Sequence, residues 1–112
     1  MPEIPYRGLT GNDASDAHLW KHGLLYGDAD EVWEGRAKYF DQDSKYFTDD
    51  NGNLRLRPDR LVMIGPDAGR RLLTVILDPP DEGGFSHVVT GWPSTRAEKT
   101  RYDQSGGRMR RR

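Results

Sequence analysis

The stretch "RLVMIGPDAGRRLLTVILDPPDEGGFSHVVTGW", residues 60–92, decides the fold. It holds three apolar runs, "RLVMIG" (60–65), "RRLLTVIL" (70–77) and "FSHVVTGW" (85–92). Each has the length and β-branched content of a strand. The runs are separated by "PDA" with flanking glycines and by "DPPDEGG", both rich in turn formers. Connections this short make the strands antiparallel neighbours. In the middle run Leu72, Thr74 and Ile76 alternate with Leu73, Val75 and Leu77. Both sets are largely apolar, which predicts a central strand covered on each face.

Towards the C-terminus, "PSTRAEKTRY" predicts a closing helix. Thr95 and Glu98 have the spacing of a capping box, and Pro93 stands just ahead of it. Ala97, Arg101 and Tyr102 form the side that faces the sheet. Residues 105–112, "SGGRMRRR", read as a disordered basic tail. Towards the N-terminus, "DASDAHLWKH" predicts a helix over 13–22, capped by Asn12 or Asp13. Gly23 follows it, where a left-handed residue ends a helix. Lys21 and His22 fall in its last turn, where positive charge meets the negative end of the helix dipole. A second helix over 28–34 has Ala29, Val32 and Trp33 as one apolar stripe. Residues 1–11 read as an irregular segment with Pro2, Pro5, Gly8 and Gly11. Residues 36–60 form a long variable middle. There "KYFTDDNGNLRLR" suits either a hairpin turning at Asn51-Gly52 or a mobile loop. The acidic "DDNGN" lacks the spacing of a calcium loop, and calcium is rejected. The expectation is one α+β domain over 12–104: two N-terminal helices, an antiparallel sheet of three to five strands, and one C-terminal helix.

The 112 residues suffice for one modest core. Apolar residues are 34% and mean hydropathy is −0.90, so that core is thin. The longest apolar run is strand-sized, far short of the roughly 20 residues of a membrane span. The start "MPEIPYRG" lacks the basic-then-apolar order of a signal peptide, and a cytoplasmic location is the expectation. With no cysteine, disulfides, thiolate chemistry and cysteine-type zinc sites are excluded. The net charge of −1 hides an asymmetry. Residues 1–53 carry 5 basic and 11 acidic side chains, while residues 54–112 carry 12 and 7. Thirteen of the 17 basic residues are arginine, whose planar fork suits phosphate. The basic half is thus a candidate nucleic-acid face, unless the two halves merely neutralise one another.

A set of short motifs, in order, resembles the BrnT toxins of type II toxin–antitoxin systems, which are small RelE-like ribonucleases. Lys21-His22-Gly23-Leu24 matches the family's early Lys-His-Gly-aliphatic segment, followed by Tyr26, Ala29, Val32 and Trp33. Ile64-Gly65 matches its Ile-Gly before a hairpin, and Gly69-Arg70-Arg71-Leu72 its Gly-Arg-x-Leu. Thr95-Arg96 with Glu98 and Tyr102 matches its closing helix. One departure stands out: the family's Ser-Ala-Arg at the end of the last strand reads Thr90-Gly91-Trp92 here. Tryptophan stacks on bases but does not neutralise a phosphorane.

The resemblance implies a toxin that cuts RNA without metal or other cofactor and arrests translation. It implies RNA as substrate and a neighbouring ribbon-helix-helix antitoxin as partner in a hetero-oligomer, away from any membrane. Arg70, His22, Lys21 and Arg96 are the catalytic candidates, with Arg70 as phosphate donor and His22 as proton-transfer group. Arg71, His87, Trp92, Arg108 and Arg110 are the RNA-binding candidates. Each has a plainer reading as well: Lys21 and His22 as helix-end charges, Arg70 and Arg71 as solvated hairpin charges, Arg96 in a surface ion pair, His87 and Trp92 as core or half-buried residues, and the tail arginines as solvated. A non-catalytic RNA- or protein-binding module on the same fold is the rival expectation, because Trp92 replaces the family arginine.

Overall fold

The structure is a computed structural model and describes residues 4–42, 46–48, 50–56, 60–104 and 106–109. The chain order is β1 (Gly8–Thr10), α1 (Asp13–Trp20), α2 (Tyr26–Glu34), β2 (Lys38–Asp41), β3 (Tyr46–Thr48), β4 (Leu54–Leu56), β5 (Leu61–Pro66), β6 (Leu72–Leu77), β7 (Phe85–Pro93), α3 (Arg96–Asp103) and β8 (Arg108–Met109). Six strands form one sheet in the order β1-β7-β6-β5-β2-β8, and β3 pairs β4 separately.

The three apolar runs form β5, β6 and β7, antiparallel and in the interior of the sheet. Alternation along β6 separates two cores. Leu73, Val75 and Leu77 join Leu61 and Met63 of β5 on one face, beneath Leu19 of α1 and Ala29 and Val32 of α2. Ile76 joins Val62 and Ile64 of β5 and Phe40 of β2 on the other, where Leu72, Val89, Trp92 and Tyr102 complete the packing. Close packing sets two glycines. A Cβ on Gly91 would lie 3.1 Å from Leu19 Cδ2, so this glycine lets α1 settle on the sheet. A Cβ on Gly65 would lie 2.8 Å from Ala37 Cα, where the start of β2 crosses close to β5.

The expected fold needs correction. The sheet has six strands and is mixed, not an antiparallel sheet of three to five strands. The helices are not the N-terminal element, because β1 precedes them and pairs parallel to β7. Nor does a helix close the chain, because β8 follows α3 and pairs with β2. The reason is physical. The interior strands leave backbone donors and acceptors open at both edges. Segments of three and two residues dock there, too short to display any hydrophobic alternation. Gly8–Thr10 therefore lies in a strand within the segment expected to be irregular, and Arg108–Met109 lies in a strand within the expected disordered tail. Trp33 anchors the N-terminal segment by donating its indole N–H to the Pro5 carbonyl at 2.9 Å. In the variable middle, β2 belongs to the main sheet, and β3 and β4 take the hairpin alternative.

Candidate nucleic-acid interface

The strand registers gather several sequence candidates at one end of the sheet. Pro66 faces Leu72 and Leu73 faces Pro93, so the β5–β6 turn and the start of α3 lie together. The Ser94 N–H donates to the Leu72 carbonyl at 2.9 Å and closes that junction. Lys38 faces Ile64, which brings Arg36 to the same end. We term this the hairpin end.

Arg70 sits in the β5–β6 turn. The Arg70 N–H donates to the Asp67 carbonyl, and the Asp67 N–H to the Arg71 carbonyl, at 3.0 and 2.9 Å. Arg70 has φ of 65°, the left-handed region that favours glycine, although Gly69 is its neighbour. Bulky residues rarely occupy that region, and the strain is of order 1 kcal/mol or more. Its side chain is exposed. Arg71 has a different setting: its guanidinium pairs with Asp67 at 3.1 Å and Asp28 at 3.8 Å. That pairing ties the turn to α2, and Glu31 adds a bond by accepting from the Ala68 N–H. Asp28, Glu31 and Asp67 lie close enough to hold a cation, but the guanidinium of Arg71 already faces two of them.

Trp92, near the end of β7, is held from two sides. Its indole N–H donates to both carboxylate oxygens of Glu98, at 2.9 and 3.2 Å. Glu98 also accepts from the Thr95 N–H at 2.8 Å, and Thr95 Oγ1 accepts from the Glu98 N–H, completing the expected capping box. The exposed His22 ring lies edge-on to Trp92, with centroids 5.9 Å apart and planes at 60°. That places the α1 corner beside the start of α3. The corner itself is a helix stop: the His22 N–H donates to the Leu19 carbonyl, the Gly23 N–H to the Trp20 carbonyl, and Gly23 is left-handed at φ 76°. Helix termination and a site position are therefore compatible here. Arg96 opens α3 and is exposed.

Most carboxylates at this end are engaged, the exception among the described residues being exposed Glu34 beside Arg36. Asp67 and Asp28 hold Arg71, and Glu98 holds Trp92 and the Thr95 amide. Lys21, Arg36, Arg70 and Arg96 have no ion pair among the described residues, and all four are exposed. Arg36 was not foreseen. Its sequence signal, an arginine directly after Gly35 at the end of a helix, is common and points nowhere by itself. The Tyr102 hydroxyl donates to the Arg36 carbonyl at 2.7 Å. Burial pushes that phenol up; the Arg36 charge opposes the shift.

Other candidates lie elsewhere. His87 is five residues before Trp92 on β7, roughly 15 Å along the strand. Its Nε2 is 3.3 Å from Ser15 Oγ of α1, and it is half-buried. Arg108 is in β8, at the sheet edge beyond β2, and pairs with Asp41 at 2.9 Å. Arg110 lies outside the described residues. A hollow of about 670 Å³ beside β2 and β8 is lined by Trp33, Arg36, Tyr39 and Met109 among others, and reaches the hairpin end along Glu34, Gly35, Arg36 and Ala37. Among the described residues no helix is long and apolar enough to cross a membrane. No protein-family model, curated protein or solved structure matches this chain.

Proposed function

We propose that this chain is a toxin-like endoribonuclease that grips RNA at the hairpin end and cleaves it with its own side chains. One observation carries the reading: exposed cations from separate segments, Lys21, Arg36, Arg70 and Arg96, share one end of the sheet, where Asp28, Asp67, Glu31 and Glu98 are engaged by other groups. Unpaired cations held on packed elements suit a polyanion. Trp92, fixed by Glu98, offers a ring for base stacking. His22, whose ring lies edge-on to Trp92, is the side chain this reading assigns to the ribose of the stacked nucleotide.

The chemistry is a transesterification. His22 takes the 2′-hydroxyl proton, and the 2′-oxygen attacks phosphorus as the bond to the 5′-oxygen breaks. The departing oxygen takes a proton from solvent or from the imidazolium. The products are a 2′,3′-cyclic phosphate and a 5′-hydroxyl. Arg70, with Lys21 and Arg96, steadies the charge on the phosphoryl oxygens. The partner in this reading is a ribbon-helix-helix antitoxin that covers the same cations.

Labelled single-stranded RNA incubated with the purified chain in EDTA tests the reading. Cleavage with cyclic-phosphate ends, reduced on the order of a hundredfold by Arg70→Ala and by His22→Ala, supports it. Tight RNA binding with no cleavage selects the second reading, a non-catalytic binding module. That reading is favoured by the tryptophan in place of the family arginine, its N–H tied to Glu98, and by Arg71 held between two carboxylates. Neither binding nor cleavage removes both.

A further inference from the structure

The α1–α2 side of the molecule carries a second surface, of opposite character. Two hollows, of about 510 and 460 Å³, adjoin there and share Asp16 and Tyr26. The second is walled by Ala17, Trp20, Leu24 and Leu25. Trp20 is 71% exposed and Leu25 61% exposed, large apolar side chains standing in solvent at the same groove. Exposed aromatic and aliphatic anchors beside a hollow are what a bound segment buries. The charge around them is of one sign: Asp13 and Asp16 line the hollows, and no lysine, arginine or histidine does. Tyr26, at the junction, feels the same field. Burial first, then the carboxylates of Asp30 and Asp16, push its phenol up. Asp30 is itself pushed up by burial and by Glu34.

We infer that this groove docks a cationic amphipathic helix of a partner protein, its apolar side chains seated between Trp20 and Leu25 and its lysines or arginines facing Asp13 and Asp16. A helix fits because the groove follows one stripe of α1, Asp13, Asp16, Ala17 and Trp20, faced by Leu24, Leu25 and Tyr26, and so offers apolar anchors with a charged rim. The charge selects the partner: an acidic or neutral apolar helix would leave the carboxylates uncompensated. The inference does not rest on the RNA reading, because neither hollow is lined by Arg36, Arg70 or Arg96.

The test uses the full chain and a fluorescein-labelled leucine–lysine peptide patterned as an amphipathic helix, with its leucine–glutamate counterpart, followed by anisotropy. The expected result is saturable binding of the lysine peptide alone, weakened about tenfold by Trp20→Ala and by Leu25→Ser, and several-fold by Asp16→Asn. Glu82→Gln, which removes a charge from the β6–β7 loop, leaves the affinity unchanged. Trp20 and Leu25 are exposed, so circular dichroism should report an unaltered fold; Asp16→Asn reads the charge term independently of either. Equal affinity in all three groove variants and the wild type overturns the inference. So does equal binding of the glutamate peptide. A dimer of the wild type in sedimentation that Trp20→Ala dissolves also overturns it, by assigning the groove to a second copy.

Discussion

The two ends of the main sheet treat most of their arginines differently, the exception being Arg7, exposed at the far end with no ion pair among the described residues. At the end away from the hairpin, Arg60 pairs with Asp78 at 3.2 Å and Arg108 with Asp41 at 2.9 Å. Arg101 lies over the Phe40 ring at 4.3 Å. Each of these cations helps hold one segment to another. At the hairpin end Arg71 clamps the turn to α2, and Lys38 ties β2 to α3 by donating to the Tyr102 carbonyl at 2.6 Å. Lys21, Arg36, Arg70 and Arg96 clamp nothing among the described residues, and Arg70 occupies a backbone position better suited to glycine. Under the proposed function, RNA phosphates supply the negative charge that these cations, one of them at a strained backbone position, lack among the described residues.

The largest effect expected on folding separates the scaffold from the site. Leu19 is fully buried against the sheet, in the last turn of α1 just before the Lys21–His22 corner. Leu19→Ala should cost about 2–5 kcal/mol in chemical denaturation and weaken RNA binding only as the His22 corner loosens. Next, Arg70→Gly relieves the left-handed strain and should raise stability by about 0.5–1 kcal/mol while RNA affinity falls. A loss of stability instead would mean that Arg70 has a structural partner and would erase the contrast between the ends. Arg60→Ala should lower stability by up to about 1 kcal/mol, because its pair is partly solvated, and leave RNA affinity alone. The smallest effect concerns Asp30. Its folded pKa is raised above the unfolded value, so ionisation opposes folding. The penalty is absent below the unfolded pKa and grows as pH rises through the folded one. Asp30→Asn should therefore raise the thermal midpoint slightly at neutral pH and leave it unchanged in strong acid.

What the sequence disclosed follows from the range of the forces involved. Alternation along Leu72–Leu77, the turn residues beside it and the Thr95–Glu98 capping box are local, and each has its counterpart in β6, its flanking turns and α3. The edge strands β1 and β8 are set by pairing with β7 and β2, distant in sequence, and their few residues carry no period. The same holds for the site. Arg70, Arg96 and His22 stand out as residue types near helix and strand ends, but their sharing of one sheet end depends on register. The pairing of Arg71 with Asp28 spans two elements, and the tie between Trp92 and Glu98 joins a strand to a helix cap. Arg36 reaches this end through the pairing of β2 with β5, which the sequence does not display.

The most direct measurement compares two sets of charge removals, reading both the thermal midpoint and the affinity for labelled single-stranded RNA across a salt series. One protein carries Lys21→Gln, Arg36→Gln, Arg70→Gln and Arg96→Gln; the other carries Arg60→Gln and Arg108→Gln. The first should keep its midpoint, lose affinity on the order of a hundredfold at low salt, and show a salt slope shallower by about 0.7 for each phosphate contact removed. The second should melt earlier and bind RNA as the wild type does. Wild-type RNA affinity in the first protein, or a collapse of its fold, would contradict the account.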